Sequence, residues 1–185
     1  KYDFLTFDDF DYSRTRLVDE KLGYEWDRVI TYVKDPELFI VFDVLKAATE
    51  EYFTAANLWH TRQIVSRGDH WYDTSYDSLR NRAVPTDNNL LIYFPKHHFR
   101  LEQTEEEKRN YQQEFAIAQI GAQHFEPGQH TGFVTVLVPH SKEISPEKLA
   151  ENITYIPSDR YEAGMSVRIT HDSRIIHVGI KSNLR

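Results

Sequence analysis

The fold is decided by the apolar run Leu38-Phe39-Ile40-Val41-Phe42-Asp43-Val44-Leu45 and by the run that follows it, Tyr52-Phe53-Thr54-Ala55-Ala56-Asn57-Leu58-Trp59-His60-Thr61-Arg62. The first run is almost continuously apolar, which indicates a strand covered on both faces. In the second run alternate residues share a face, and neither face is purely polar. We therefore expect both strands to lie in the middle of a sheet. Asp43, inside the apolar strand, requires a partner such as an Arg.

Strand patterns extend outward from these runs in both directions. Residues 13–18 and 24–33 are expected to be strands, and with the two central runs they predict an antiparallel meander of four strands. Further strands are expected at 89–94, 114–123 and 132–138, with a final hairpin formed by 165–170 and 175–180. We expect residues 66–69 to break the run of strands, and residues 103–113 to form an exposed loop or a short helix.

One short helix is expected from Ser145 to about Asn152. Ser145 is a suitable N-cap, and Pro146 suits the first helical position. The whole pattern predicts an all-β fold, an antiparallel two-sheet β-sandwich of roughly ten to twelve strands. Stacked sheets are favoured over a barrel because several strands carry large residues on both faces. No repeat or flexible linker divides residues 1–185, so we expect a single domain.

Composition and charge exclude several classes of function. The formal net charge is −7, and the acidic residues are spread along the chain, which argues against a nucleic-acid partner. The chain has no Cys, which excludes disulfides and thiolate metal sites. No segment approaches the roughly 18 apolar residues of a membrane span, so we expect no membrane partner. Eleven Tyr, eleven Phe and three Trp favour strands and surfaces that stack on sugars.

The nine histidines are not spaced as metal ligands. His97 and His98 are adjacent and would point to opposite faces of a strand, whereas His124 and His130 flank a Pro-Gly turn. We interpret them as ordinary hydrogen-bonding residues and expect no metal. No phosphate-binding loop or nucleophile motif is present, so no cofactor is expected.

The most suggestive group of side chains falls within about twenty residues. A His, a Tyr and an Arg together suit removal of a proton beside a uronic-acid carboxylate, and aromatic rings stack on sugars. The alternative is that these are core and loop residues with no chemical role. We select as substrate-contact candidates Trp59, His60, Arg62, His70, Trp71 and Tyr72, and Asp73 and Arg80 belong to the same group.

The sequence resembles the C-terminal β-sandwich region of the heparinase II/III-like polysaccharide lyases. The resemblance covers roughly residues 10 to 140. It is carried by Arg14-x-Arg16, by the runs 26–33, 39–45 and 57–61, and by Phe133-Val134-Thr135-Val136-Leu137-Val138-Pro139-His140.

The resemblance implies a bacterial, secreted or periplasmic enzyme of glycan breakdown in which an α-helical toroid precedes the sandwich. In that family the main Tyr base lies in the helical part. A sandwich His and a structural metal site lie in a His-rich stretch that would fall before Lys1. No residue of this chain matches either feature, so the resemblance implies that this chain alone is inactive.

Three functions follow as hypotheses. The first is a non-catalytic sandwich domain that packs on the helical toroid and lines a cleft for an acidic polysaccharide. The second is a self-contained lyase that acts by β-elimination through His60 or His70 with Tyr72. The third is a carbohydrate-binding module that uses Trp59, Trp71 and Tyr72 as a platform.

Overall fold

Three antiparallel sheets make up the fold in the computed structural model, which describes residues 2–76, 86–95, 101–109, 112–157 and 164–181. The strands in chain order are β1 Tyr2–Thr6, β2 Phe10–Asp19, β3 Tyr24–Lys34, β4 Glu37–Ala47, β5 Glu51–Thr61, β6 Gln63–Gly68, β7 Trp71–Ser75, β8 Asn88–Tyr93, β9 Leu101–Arg109, β10 Gln112–Phe125, β11 His130–Ser141, β12 Ile153–Pro157, β13 Met165–His171 and β14 Arg174–Ile180. A helix, α1, spans Pro146–Glu151.

The largest sheet, here called the central sheet, has eight strands in the order β1-β2-β3-β4-β11-β8-β7-β6. The upper sheet has the order β5-β10-β9, and the lower sheet has the order β12-β13-β14. β4 lies in the middle of the central sheet, as its apolar sequence predicts. Ile40 and Phe42 point to one face of this strand and Val41 to the other, and all three are buried.

The central sheet is covered on both faces. On its lower face, Val29, Ile40, Phe42 and Val136 pack with the lower sheet and α1 in one apolar cluster. On its upper face, two further clusters join it to the upper sheet, and these contain Phe125 and Ile117 of β10. The predicted all-β sandwich is thus confirmed, with a second packed face that gives three layers.

Several local predictions differ from the structure. The strand count is fourteen in the described residues, above the expected ten to twelve. β5 does not pair with β4, and it forms an edge of the upper sheet. Residues 103–113 were expected to be a loop or short helix, but residues 103–109 lie in β9 and residues 112–113 in β10, and the two strands pair. β6 continues through residues 66–68, where a break was expected.

Other predictions are confirmed. β2, β3 and β4 form the expected meander, and β13 and β14 form the expected final hairpin. The single helix found in the described residues begins with Pro146 in its first turn, and Ser145 precedes it in an extended conformation. The Ser145 side chain makes no capping hydrogen bond.

Asp43 is the polar exception in β4, and its partner is an Arg, as expected. Arg28 lies directly opposite on β3 and donates two hydrogen bonds to the carboxylate, from Nε to Oδ1 at 2.7 Å and from Nη2 to Oδ2 at 3.0 Å. Trp26 Nε1 donates a third bond to Oδ1 at 2.8 Å. The Asp43 side chain is 1% exposed, whereas the Arg28 side chain is 43% exposed. The buried carboxylate is therefore neutralised by a cation that reaches solvent.

A second carboxylate, Asp27, is satisfied on the lower face of the same strands. Arg14 Nε donates to Asp27 Oδ1 at 3.0 Å, and Arg16 donates to both carboxylate oxygens at 2.9 and 2.7 Å. Burial by itself raises the pKa of Asp27, but the hydrogen bonds and charges of Arg16 and Arg14 together outweigh it and hold the pKa below its usual range. The ionised form of Asp27 thus stabilises the folded state.

We expect Asp43→Ala to lower the free energy of unfolding by about 2–3 kcal/mol, because hydrogen bonds to a charged group are lost. Arg28→Ala should cost more, about 3–5 kcal/mol, because it leaves a buried carboxylate without its cation. Urea unfolding followed by Trp fluorescence measures both, with Glu20→Ala in the exposed β2–β3 turn as the control. Unchanged stability in Asp43→Ala, or a smaller loss in Arg28→Ala than in Asp43→Ala, would contradict this account.

The lowered pKa of Asp27 predicts how stability depends on pH. A carboxyl group whose pKa is lower in the folded than in the unfolded state adds stability above its unfolded pKa of about 4, and this stability is lost as pH falls through the folded pKa. Between about pH 5 and pH 2, the parent chain should therefore lose more unfolding free energy than Asp27→Asn. The exposed control Glu20→Gln should follow the parent, and equal slopes for the parent and Asp27→Asn would refute the prediction.

Candidate functional site

The six sequence-predicted contact residues lie in two places, at the crossover from β5 to β6 and at the turn from β6 to β7. β5 belongs to the upper sheet and ends at Thr61, and β6 begins the edge of the central sheet at Gln63. Arg62 lies between them, and its Nη1 is 3.1 Å from Glu114 Oε1 of β10. This ion pair fixes the crossover to the neighbouring strand of the upper sheet.

Trp59 and His60 point to opposite faces of β5. Trp59 points inward, where its Nε1 donates to Thr135 Oγ1 at 3.2 Å and its ring packs with the upper-face cluster of Ile92 and Ile117. The Arg28 guanidinium lies 5.9 Å from the centre of the Trp59 ring, within the range of a cation–π contact. Trp59 thus joins the sheets, whereas His60 is half-buried on the outer face of the upper sheet.

His70 lies in the turn between β6 and β7, with a φ of 64°, a left-handed conformation that is uncommon for a side chain of this size. Two contacts hold it there. Its carbonyl oxygen accepts a hydrogen bond from Phe94 N at 2.8 Å, and its Nδ1 is 2.6 Å from Glu102 Oε1 of β9. His70 therefore ties the edge of the central sheet to the upper sheet.

Trp71 and Tyr72 are neighbours on β7 and point to opposite faces of the central sheet. The Trp71 indole packs on the lower-face cluster and lies so close to Gly68 that a Cβ there would be 2.3 Å from Trp71 Nε1. Tyr72 is buried on the upper side, edge-to-face with Phe94 at 6.0 Å between ring centres. Burial, assisted by the charge of Glu102 and opposed by Arg67, raises the pKa of Tyr72.

The arrangement separates the residues that the sequence places within one short stretch. Trp59 and Tyr72 share the upper-face cluster, but Trp71 belongs to the lower-face cluster. The three rings therefore do not form one coplanar exposed platform. Tyr72 is in the core with a raised pKa, the reverse of what a catalytic base requires. Arg80, His97 and His98 lie outside the described residues.

Asp73 belongs to a buried polar network that the sequence pattern did not predict. His140 Nε2 is 3.1 Å from Asp73 Oδ1, and Asn89 Nδ2 donates to Asp73 Oδ2 at 2.8 Å. His140 Nδ1 is 2.9 Å from the carbonyl oxygen of Ser141. All these side chains lie on the lower side of the central sheet, and Asp73, His140 and Asn89 are each less than a tenth exposed. The side chains of this network bind one another and are largely shielded from solvent.

No group of three or more His, Asp and Glu side chains is arranged to hold a metal ion in the described part of the chain. His124 is exposed and lies 3.6 Å from Glu50, an ordinary surface contact. No helix within the same residues is long and apolar enough to span a membrane.

The outer face of the upper sheet is a candidate contact surface that the sequence pattern did not predict. Tyr52, Leu58 and Leu101 are 60%, 51% and 61% exposed on this face. Between them lie small or apolar side chains in register, with Leu58 opposite Ala118 and Ile120 opposite both Ala56 and Leu101. We call it the apolar face, and it consists of Tyr52, Ala56, Leu58, Leu101, Ala116, Ala118, Ile120 and Ala122.

Charged and polar side chains border the apolar face, and the exposed Glu105 lies opposite Ala116 on the same face. Arg62 and Glu114 lie at one end, and His124 and Glu50 at the other. None of its residues belongs to a core cluster among the described residues. Ala116 and Ala118 are each only 4% exposed, so the accessible apolar area comes from the larger side chains around them. An exposed apolar surface with a polar rim is typical of a protein interaction site. The alternation of Ala116, Ala118, Ile120 and Ala122 in the sequence was the available signal.

Structural comparison identifies where this fold occurs in known proteins. The whole chain matches 28% of the chain in the crystal structure of heparan sulfate lyase HepC from Pedobacter heparinus, with a TM-score of 0.66 and 15% identity. It also matches a crystal structure of heparinase III, with a TM-score of 0.63 and 13% identity over 97% of this chain and 27% of that one. No family model and no curated protein matches the sequence. The chain thus has the fold of a heparinase-like β-sandwich region and spans little more than a quarter of these enzymes.

Proposed function

We propose that this chain is a single, non-catalytic β-sandwich domain of a heparinase II/III-like polysaccharide lyase, secreted or periplasmic in a bacterium. The observation that carries the proposal is the match of the entire chain to 28% of the HepC lyase chain. The catalytic work then belongs to an N-terminal α-helical toroid in the same protein. No cofactor is assigned to the sandwich.

The apolar face supports the proposed packing on a helical partner. Small Ala side chains line its central strand, and the exposed Tyr52, Leu58 and Leu101 of the flanking strands provide the apolar area that a helix could cover. At about 25 cal/mol per Å² of buried apolar surface, covering such a face yields several kcal/mol. The ion pairs at both ends form the polar rim that interdomain contacts carry.

The separation of the candidate residues supports an inactive isolated chain. β-Elimination requires a base and a cation around one substrate carbon. Tyr72 is buried in the upper-face cluster, and His70 is engaged by Glu102 in a turn. The residues that most nearly suit catalysis therefore serve the packing of the sandwich.

We assign the cleft-lining role to His60, Arg62 and His70. All three are partly exposed; His60 and Arg62 lie at the crossover from β5 to β6, and His70 lies in the turn at the other end of β6. Arg62 and His70 each retain a carboxylate neighbour, Glu114 and Glu102, which orients them. Cationic or hydrogen-bonding groups at the rim of a cleft suit an acidic polysaccharide. Trp59, Trp71 and Tyr72 support this rim from within.

The purified chain is expected to release no unsaturated uronate product from a panel of acidic glycans, with or without added divalent metal. A full-length lyase that contains this chain should release product, and a circular dichroism spectrum verifies that the isolated chain is folded. In the full-length protein, Arg62→Ala should raise KM for the acidic glycan with little change in kcat, because it removes binding and not chemistry. Product formation by the isolated chain would refute the non-catalytic assignment.

Leu58→Asp tests the proposed packing surface. In the isolated chain its effect on unfolding free energy should stay within about 0.5 kcal/mol, because the side chain is exposed. In the full-length lyase it should speed cleavage between the two parts in limited proteolysis, since a charge would be buried against the helical part. Leu22→Asp, equally exposed in the β2–β3 turn, is the matched control. Identical proteolysis of the full-length parent and Leu58→Asp would exclude this face as the contact.

A further inference from the structure

A groove runs beside β14, on the side of the molecule that carries the lower sheet. Its volume is about 600 Å³, the size of a ligand-binding cleft. One wall is formed by β14, and the floor includes Phe10, Tyr12 and Val33 from the lower face of the central sheet. The groove exists because a three-stranded sheet covers only part of an eight-stranded one.

β14 presents an open edge to this groove. Within the described residues, β14 pairs with β13 on one side and with no strand on the other. An edge strand carries a row of backbone N–H and C=O groups that another strand can pair with. Ile176 and Val178 of β14 pack inward on the lower-face cluster, so the edge is held in an extended conformation by its own core contacts.

The charges around the groove are unequal. The Lys and the Arg that line it are already paired, Lys34 with Asp11 at 3.0 Å and Arg174 with Asp35 at 2.9 Å, and His177 of β14 also lines it. Asp8 and Asp9 also line it, are exposed, and have no ion-pair partner among the described residues. They lie at the Arg174 end of β14, because the backbone N of Lys34, next to Asp35, donates to the carbonyl oxygen of Asp9. An occupant with a positive charge at this end would be favoured.

We propose that this groove binds an extended polypeptide segment of a second protein, which pairs with β14 as a fourth strand of the lower sheet. Its alternate apolar side chains would cover Phe10, Tyr12 and Val33, and a Lys or Arg at one end would meet Asp8 and Asp9. Main-chain hydrogen bonds supply affinity in this mode of recognition, and alternate side chains supply specificity. A new strand about 4.8 Å from β14 stays at sheet-packing distance above the central sheet. This inference does not depend on the proposed lyase function.

The test measures binding of a fluorescein-labelled peptide, Lys-Val-Thr-Val-Thr-Val, to the purified chain by fluorescence anisotropy. Saturable binding should be lost when alternate backbone nitrogens of the peptide are methylated, because the strand-pairing donors are removed. Replacing the Lys of the peptide by Glu should weaken binding. Chemical shifts of labelled amides should change in β14 and in the strands that form the floor of the groove.

The matched protein variants separate charge recognition from nonspecific attraction to an acidic chain. Asp8→Asn and Asp9→Asn should each weaken binding of the Lys peptide by roughly two- to fivefold, the range for one exposed ion pair. Glu20→Gln, an equally exposed acid in the β2–β3 turn, should leave binding unchanged. Equal weakening by Glu20→Gln would overturn the proposal, as would undiminished binding of the methylated peptide or absence of any binding.

Other occupants give distinct results. Concentration-dependent dimerisation in sedimentation velocity, abolished by excess unmethylated peptide and accompanied by concentration-dependent shifts of β14 amides without peptide, would replace the proposal with self-association. Displacement of the labelled peptide by a glucosamine oligosaccharide that itself shifts the same β14 amides would replace it with a sugar site. A monomeric chain whose peptide is not displaced by the sugar supports the proposal.

Discussion

The structure depends on the requirement that a carboxylate in a doubly covered sheet must meet a cation inside it. Asp43 stands in a strand whose two faces are both packed, and Arg28 faces it directly in the adjacent strand. A shift of β3 by one residue would turn both Arg28 and Trp26 to the other face and leave the Asp43 carboxylate buried without these partners. The ion pair thus fixes the register between β3 and β4, which apolar packing alone would specify only loosely. Arg16 and Asp27, directly opposite each other on β2 and β3, fix the next pair of strands in the same way.

The three layers follow from this fixed central sheet. With β3, β4 and β11 in register, the buried hydroxyl of Thr135 points upward and accepts hydrogen bonds from both Asn57 and Trp59 of β5. The position of β5 is thereby set by side-chain bonds across the sandwich and not by pairing with β4. The crossover at Arg62 then delivers the chain back to the edge of the central sheet at β6. The crossover thus places His60 and Arg62 at one end of β6, and the following turn places His70 and Trp71 at the other end.

Local pattern accounts for much of what the sequence predicts correctly. The apolar run of β4, the alternation in β3 and the Ser-Pro start of α1 each encode their element through neighbours in the chain. The placement of β5 and β9 fails because it depends on distant partners. β9 has charged residues where a strand was not expected, and it is accommodated because it is an edge strand with one exposed face. Trp71 and Tyr72 look like one surface in sequence, yet a strand sends neighbours to opposite faces.

The charged residues that carry the family resemblance have a structural role, which decides what the resemblance can indicate. Arg14, Arg16, Asp27, Arg28 and Asp43 are engaged with one another inside the sandwich. Their charges are neutralised by partners within the sandwich. A sequence pattern built on these residues therefore indicates the architecture and not a catalytic reaction. The groups left to act on another molecule lie at the margins of the layers: the outer face of the upper sheet, the crossover rim and the open edge of β14. Any contact of this sandwich with another molecule would therefore be made at those margins.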